Sequence, residues 1–271
     1  MKPPPFEYVR AGSVADALAA LDEDVKVLAG GQSLLPALNY RIVRPAKLVD
    51  IDRLDDLARL DVNGSVRVGA LVRHAQLERD ERLVGPWSGL RAAASQVGHL
   101  PIRTRGTFGG SIAHADPAAE LCVAALAFDA EVVARSAAGE RRVPAVDFFQ
   151  APFTTALAVD ELVTEVVFAE GAAASVFEEF APRAGDYALA SVCAVRRADG
   201  IRIALGSVGP TPVRARAAEQ AAAAGEPAAA VGQAAARDCD PPSDSHAPAA
   251  YRRALVATLV ERALRRLEAQ P

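Results

Sequence analysis

Near the start of the chain, apolar residues fall at positions 14, 17, 18 and 21, the three-and-four spacing of one helix face. Ser13 precedes them and Asp16 follows three residues on, so Ser13 is the expected N-cap. "VKVLAG" at 25–30 is a short apolar run stopped by glycine and predicts a buried strand. The stretch from about Ser33 to Asn39 predicts a helix, and "AKLVDI" a second strand. Strands separated by helices pair in parallel, so the opening reads as a small α/β unit.

"VRVGALVRHAQLERD" alternates like a strand and turns helical after Arg73, and "WSGLRAAASQVGH" predicts a further helix. Residues 102–136 run from a glycine-rich loop through a helix into a strand. "GERRVPAVDFF" and "DELVTEVVF" read as strands, which makes this second region α+β and sheet-rich. From about Glu170 the pattern changes. "ASVFEEFAPR" and "YALASVCAVRR" predict strands joined by the "RAGD" turn, and "GIRIALGSV" predicts another. "ARAAEQAAAAG" is helix-prone. An Ala/Pro/Gly-biased stretch follows, part helix and part loop. The closing helix places apolar residues at 251, 255, 259, 260, 264 and 267. There is no internal repeat of fixed period.

Composition narrows the function classes. With 271 residues, 51% of them hydrophobic, the chain can bury a real core in one or two domains. A net charge of -4 argues against a general nucleic-acid or anionic-membrane surface. Cys122, Cys193 and Cys239 are far apart and show no CxxC or related metal spacing, so iron–sulfur or zinc ligation within this chain is not expected. That sparse count fits a reducing cytoplasm. No segment reads as a signal peptide or a bilayer-spanning run.

Two glycine-rich stretches carry the chemistry: "AGGQSLL" at 29–35 and "RGTFGGSIAHADPAAE" at 105–120. Neither is GxGxxG and neither is a Walker loop. Glycine lets backbone approach a ligand, and consecutive N–H groups at such a turn form an anion nest. Two of them could grip a bulky diphosphate cofactor from opposite sides, although one double-glycine turn alone is as readily structural. Asp116 is the expected cap of a helix opening at Pro117, with Glu120 one turn on. Glu120 suits a ribose or ribityl hydroxyl as an acceptor, or serves as an acidic first turn. His114 is a candidate acid or base, or a turn residue. Tyr187 could present its ring to a planar ligand, or pack as a strand aromatic. No nucleophile elbow, paired metal histidines or cysteine–base couple is present, as in an enzyme whose cofactor performs the chemistry.

In this order, "LAGGQSLLPALNYRI", "IRTRGTFGGSIAHADPAAEL", "FFQAPFTTALAVDELVTEV", "FEEFAPRAGDYALASV", "ALGSVGPTPVRARAAE" and "SDSHAPAAYRRAL" span nearly the whole chain, leaving out the Ala-rich insert near 221–236. Together they resemble the FAD-binding medium subunit of the molybdenum hydroxylases, the carbon monoxide dehydrogenase and xanthine dehydrogenase family. The resemblance implies an α+β fold. A vanillyl-alcohol oxidase/para-cresol methylhydroxylase-type FAD-binding domain covers 1–170, with two α/β subdomains at about 1–55 and 56–170. A small C-terminal domain of antiparallel sheet and helices covers 171–271.

The resemblance also implies site roles. Ala29, Gly30, Gly31, Gln32, Ser33 and Leu34 match the first loop on the FAD pyrophosphate, and Thr107, Phe108, Gly109, Gly110 and Ser111 match the second. His114, Asp116 and Glu120 match the ribityl and flavin side. Leu162 and Val163 fall where an aliphatic side chain meets the isoalloxazine. Arg183, Asp186 and Tyr187 match a turn approaching the flavin from the C-terminal domain. The sequence departs at Gln32, where histidine is common, at Phe108, where isoleucine or valine is common, and at Pro182, a place often basic.

In that family the substrate is oxidised on a molybdenum–pterin cofactor in a large subunit. A small subunit with two [2Fe–2S] clusters relays electrons to FAD, and the complex is a dimer of heterotrimers. Two other readings remain at this point: a stand-alone FAD-dependent reductase of related fold, and a non-enzymatic nucleotide-binding or assembly protein.

Overall fold

A computed structural model describes residues 2–270. Its first region is the expected parallel unit. Strand β1 (Glu7–Arg10) leads to helix α1 (Val14–Ala19), strand β2 (Val25–Leu28), helix α2 (Leu34–Asn39) and strand β3 (Lys47–Asp50). The strands lie in the order β1-β3-β2, all parallel. Ser13 caps α1 by accepting from the Asp16 amide at 3.1 Å. Strand β1 is an addition to the sequence reading. It is a four-residue edge strand with three exposed residues, so it carries no apolar alternation. The Tyr8 hydroxyl tethers it by donating to Asp50 on β3.

The second region holds a five-stranded antiparallel sheet. Strands β4 (Leu60–Asn63) and β5 (Ser65–Gly69) form a hairpin, followed by helices α3 (His74–Arg79), α4 (Ser88–Gln96), α5 (Leu100–Arg105), α6 (Phe108–His114) and α7 (Glu120–Ala127). Strands β6 (Glu131–Ser136) and β7 (Gly139–Pro144), helix α8 (Ala145–Phe148), the small pair β8 (Phe149–Ala151) and β9 (Thr154–Thr155), and β10 (Leu162–Phe168) complete it. The sheet order is β4-β5-β10-β6-β7. In "GERRVPAVDFF" the first strand therefore ends at Pro144, and strand resumes only at Phe149. A proline cannot extend a ladder inward, and the chain turns there into the short helix α8.

The C-terminal region is a four-stranded antiparallel sheet of β11 (Ala172–Phe180), β12 (Ala190–Arg197), β13 (Gly200–Gly206) and β14 (Val213–Arg214), with helices α9 (Arg216–Ala223), α10 (Ala228–Arg237) and α11 (Ala249–Glu268). One face of this sheet packs on α9 and α11, with α10 lying against those two helices. The other places Phe177, Cys193, Val195 and Ala204 in the same core as α4 and α7. A sheet covered on both faces explains why "ALASVCAV" lacks polar alternation. The Ala-rich stretch is part of this core. Gly232 lies against α11 so closely that a Cβ would sit 3.2 Å from the carbonyl carbon of Ala257.

Candidate functional site

The glycine stretches meet because Gly30 has no side chain. A Cβ there would lie 2.8 Å from Gly106 Cα, 2.9 Å from the carbonyl carbon of Arg105 and closer still to the Arg105 oxygen. The first stretch is thus seated on the backbone that leads into the second. Arg73 fastens the joint from below, donating to the Arg105 carbonyl at 2.5 Å and to Asp52 at 2.5 Å.

The two stretches differ in what they offer a ligand. In the first, Gly31 adopts φ +72°, a conformation suited to glycine, and the turn runs into α2. Gly31, Gln32, Ser33 and Leu34 accept or brace through other atoms, but their N–H groups donate to no acceptor among the described residues. Four successive open amides form an anion nest. Gln32 donates from Nε2 to the Gly30 carbonyl at 2.9 Å and so braces the turn.

The second stretch is not an open loop. Phe108 to His114 is helix α6, with Thr107 as N-cap. Its first amides are used inside the protein: Phe108 N–H donates to Val72, Gly109 to Ala70, Gly110 to the Thr107 hydroxyl and Ser111 to Thr107 O. Gly109 is small because a Cβ would lie 2.5 Å from Ala70 Cβ. Gly110, in contrast, is exposed. Phe108 is fully buried and packs edge-on against Phe168 at 5.9 Å, so this departure belongs to the core. The second stretch therefore shapes the site, and the first supplies the free donors.

His74 was not marked by any motif, yet it organises the second stretch. Its Nε2 lies 2.9 Å from Thr107 O and 3.1 Å from Ser111 Oγ, while Nδ1 is buried without a partner. Burial holds its pKa down at about 4, against the hydrogen bond to Thr107 and with the nearby Arg103 and Arg73 charges. The sequence signal was slight: a histidine at the point where the pattern turns helical after Arg73.

At the other end of α6 the chemistry turns acidic. The helix stops at Ala115 in the left-handed region, and Asp116 Oδ1 accepts from the Ala118 amide at 2.9 Å. The expected helix from Pro117 begins later, at Glu120, because Asp116 closes a turn of its own instead of capping. The His114 ring packs at a tilt of 41° against Phe153, centroids 5.1 Å apart, and burial lowers its pKa against the pull of Asp116. Glu120 is buried, which raises its carboxyl to about 7 against its own backbone hydrogen bond and with Asp116.

The C-terminal sheet closes over this acidic end. Ser207 N–H donates to Pro117 O at 2.9 Å. Tyr187 lies before β12 rather than in it, with its ring 68% exposed. Partial covering of its hydroxyl, with the Asp116 and Glu120 charges, raises its pKa. Arg183 and Asp186 are exposed on the same loop, which is seated through Gly185 against the His99 ring. Leu162 and Val163 are buried at the start of β10 in two different cores. They connect to the site through the sheet, where the Thr164 carbonyl accepts from the amide of Ala70.

Comparisons with known proteins bear on this geometry. Residues 4–168 match the model of the FAD binding domain in molybdopterin dehydrogenase, and residues 175–267 match the CO dehydrogenase flavoprotein C-terminal domain. The chain is 39% identical over 280 residues to the 6-hydroxypseudooxynicotine dehydrogenase complex subunit alpha of Paenarthrobacter nicotinovorans, covering 97% of this chain and 95% of that one. It is 34% identical to the carbon monoxide dehydrogenase medium chain of Hydrogenophaga pseudoflava, covering 97% of each. Among solved structures it resembles a chain of quinoline 2-oxidoreductase from Pseudomonas putida 86, with TM-score 0.91, 32% identity and 99% coverage of both chains.

Proposed function

The chain belongs to the FAD-binding medium subunits of the molybdenum hydroxylase family, an oxidoreductase family, and on that premise we propose that it is the electron-transfer subunit of such a complex. Its position in the path is between [2Fe–2S] clusters of a small subunit and an external acceptor. A large subunit carries the molybdenum–pterin cofactor, and the assembly is a dimer of heterotrimers.

The observation that carries this reading is the seating of Gly30 on Arg105–Gly106, which joins a nest of open amides to the exposed Gly110 face of α6. The amides of Gly31, Gln32, Ser33 and Leu34 fit a diphosphate, which needs several donors and no side-chain bulk. The α6–α7 segment, with His114, Asp116 and Glu120, fits the ribityl and flavin side. Tyr187 offers an exposed ring to the flavin face. Thr107, Gly109 and Ser111 fix the wall between these two ends, while Leu162 and Val163 support it from the sheet. Ala29 and Leu34 frame the first turn.

Bound FAD supplies the redox chemistry, since it can exchange electrons with one-electron and two-electron partners. The chain's own task is to hold and orient that cofactor and to dock its partners. Relatives named for substrates as unlike as carbon monoxide and quinoline share this architecture, which supports placing substrate choice in the large subunit. Purification of the tagged chain from its native host tests the reading. The expected product is a yellow complex with molybdenum and iron–sulfur subunits, in which added substrate bleaches the flavin. A chain that stays free of FAD in excess cofactor, or a lone chain active as a reductase, overturns it.

A further inference from the structure

Strand β11 sends alternate side chains to opposite faces. Ala174, Val176 and Glu178 face α11, where Glu178 meets Arg262 and Arg266. Ser175, Phe177 and Glu179 face the second region: Ser175 binds the start of α4, and Phe177 enters the central core. On β12 the row Val195, Cys193, Ser191 likewise begins apolar and ends polar. Register places Glu179 directly opposite Ser191, and Ser191 opposite Gly206 on β13. Gly206 lacks a side chain because α7 is there. A Cβ would lie 2.5 Å from Val123 Cγ2, and closer to Ser191 Oγ. Glu120 opens α7 one turn before Val123.

The seam between the regions therefore ends in Glu120 on one side and Glu179, Ser191 and Ser207 on the other. Ser191 is 1% exposed and Ser207 is 8% exposed, and neither hydroxyl has a partner. One Glu179 carboxyl oxygen is buried and unpartnered too. The titratable groups around the pair are Asp116 on the α6–α7 segment, the buried Cys122 thiol on α7 and Tyr187 on the loop before β12. No cation is among the groups acting on either carboxyl. Two acids in such a seam do not both ionise near neutrality, because each charge is poorly solvated and nothing compensates it. Burial, then the Glu120 charge, raises Glu179 to about 8.

We propose that Glu120 and Glu179 are a carboxyl pair holding one proton across the seam, and that its protonated member, with Ser191, donates hydrogen bonds to the carbonyl-and-nitrogen edge of the flavin ring. The proposal rests on the FAD reading above. An anionic diphosphate is repelled by this end of the site. A neutral ring edge rich in acceptors matches a protonated acid and an unpartnered hydroxyl. The open amides that suit the diphosphate lie toward the other end of α6, a seven-residue helix about 10 Å long. Glu179 is a positioning and proton-holding residue that no motif announces.

The test uses the FAD-loaded complex of wild type, Glu179→Gln, Glu179→Ala and Glu120→Gln. Infrared absorption of protonated carboxyl groups and the visible spectrum of bound flavin are followed from about pH 6 to about pH 9. In wild type protonated-carboxyl absorption is expected at the acid end and to be lost within this window, with a flavin shift over the same pH range. Glu179→Gln, whose amide donates at every pH, is expected to keep the low-pH flavin spectrum throughout. Glu120→Gln is expected to move the remaining Glu179 loss to lower pH, because burial stays and the Glu120 charge is gone, and Glu179→Ala is expected to remove the higher-pH part of the loss. Carboxyls already fully ionised at about pH 6 overturn the proposal, as does a Glu179→Gln flavin that titrates like wild type. If Glu179→Gln does not fold, the wild-type infrared titration and Glu120→Gln decide the same question. A wild-type chain that takes up no FAD refutes the function proposed above, an outcome separate from these.

Discussion

Replacing Gly30 by alanine adds one methyl group at the joint between the two glycine stretches. Its carbon would stand 2.8 Å from Gly106 Cα, where carbon atoms rest at about 3.5–4.0 Å. The gap has to open by about 0.7 Å or more. The obstructing atoms are backbone, so no side chain can rotate aside to make room. Overpacking of this kind costs about 1–3 kcal/mol. The turn cannot shift without moving the open amides of Gly31 to Leu34, so most of that cost should appear in cofactor affinity. Each 1.4 kcal/mol is about tenfold, which gives a loss of about 5- to 150-fold in FAD affinity. Titration of the FAD-depleted chain, read by quenching of flavin fluorescence, measures it. Gly12→Ala is the control, because its Cβ would meet only the flexible Asp16 carboxylate at 3.2 Å. Unchanged FAD affinity in Gly30→Ala, with Gly12→Ala also unchanged, would refute the claim that this contact sets the cradle.

Tyr187→Ala removes an exposed ring and should leave FAD bound while altering its spectrum and reoxidation rate; an unchanged flavin would remove Tyr187 from the site. Ser175→Ala strands the Gly89 amide and the Pro86 carbonyl, bonded at 2.8 and 2.6 Å, and should lower stability by about 1–3 kcal/mol in denaturant unfolding. His74 has a folded pKa of about 4, below its unfolded value, so the unfolded state binds the extra proton between them. Its contribution is present above about pH 6.5 and is lost as pH falls toward about 4. Thermal melts across that window should show the acid limb shrink in His74→Gln, whose amide can still donate to Thr107.

The parallel unit at the start was legible because α1 and α2 carry helical spacing and β2 and β3 are short apolar runs. Strand β1 was not, since its registration depends on Tyr8 and Arg10 reaching Asp50, forty residues on. The Asn63–Gly64 pair is a hairpin signal, and with Gly64 at φ +69° it joins β4 to β5. In the site, residue types announced both glycine stretches but not their division of labour. Whether Gly110 N–H is free depends on Thr107 three residues earlier, and whether Gly30 touches Arg105 depends on tertiary packing. Glu179 was hidden for a similar reason. In "FEEF" two adjacent acids look alike, and only strand alternation sends one to the α11 arginines and the other into the seam.

The central claim is that the amides of Gly31 to Leu34 are the site of a dinucleotide diphosphate. A crystal structure of the FAD-loaded complex tests it most directly. The account predicts phosphate oxygens about 2.7–3.2 Å from several of those nitrogens, with the Gly110 face of α6 alongside. A diphosphate bound elsewhere on the chain, with those four amides turned to solvent, would contradict it.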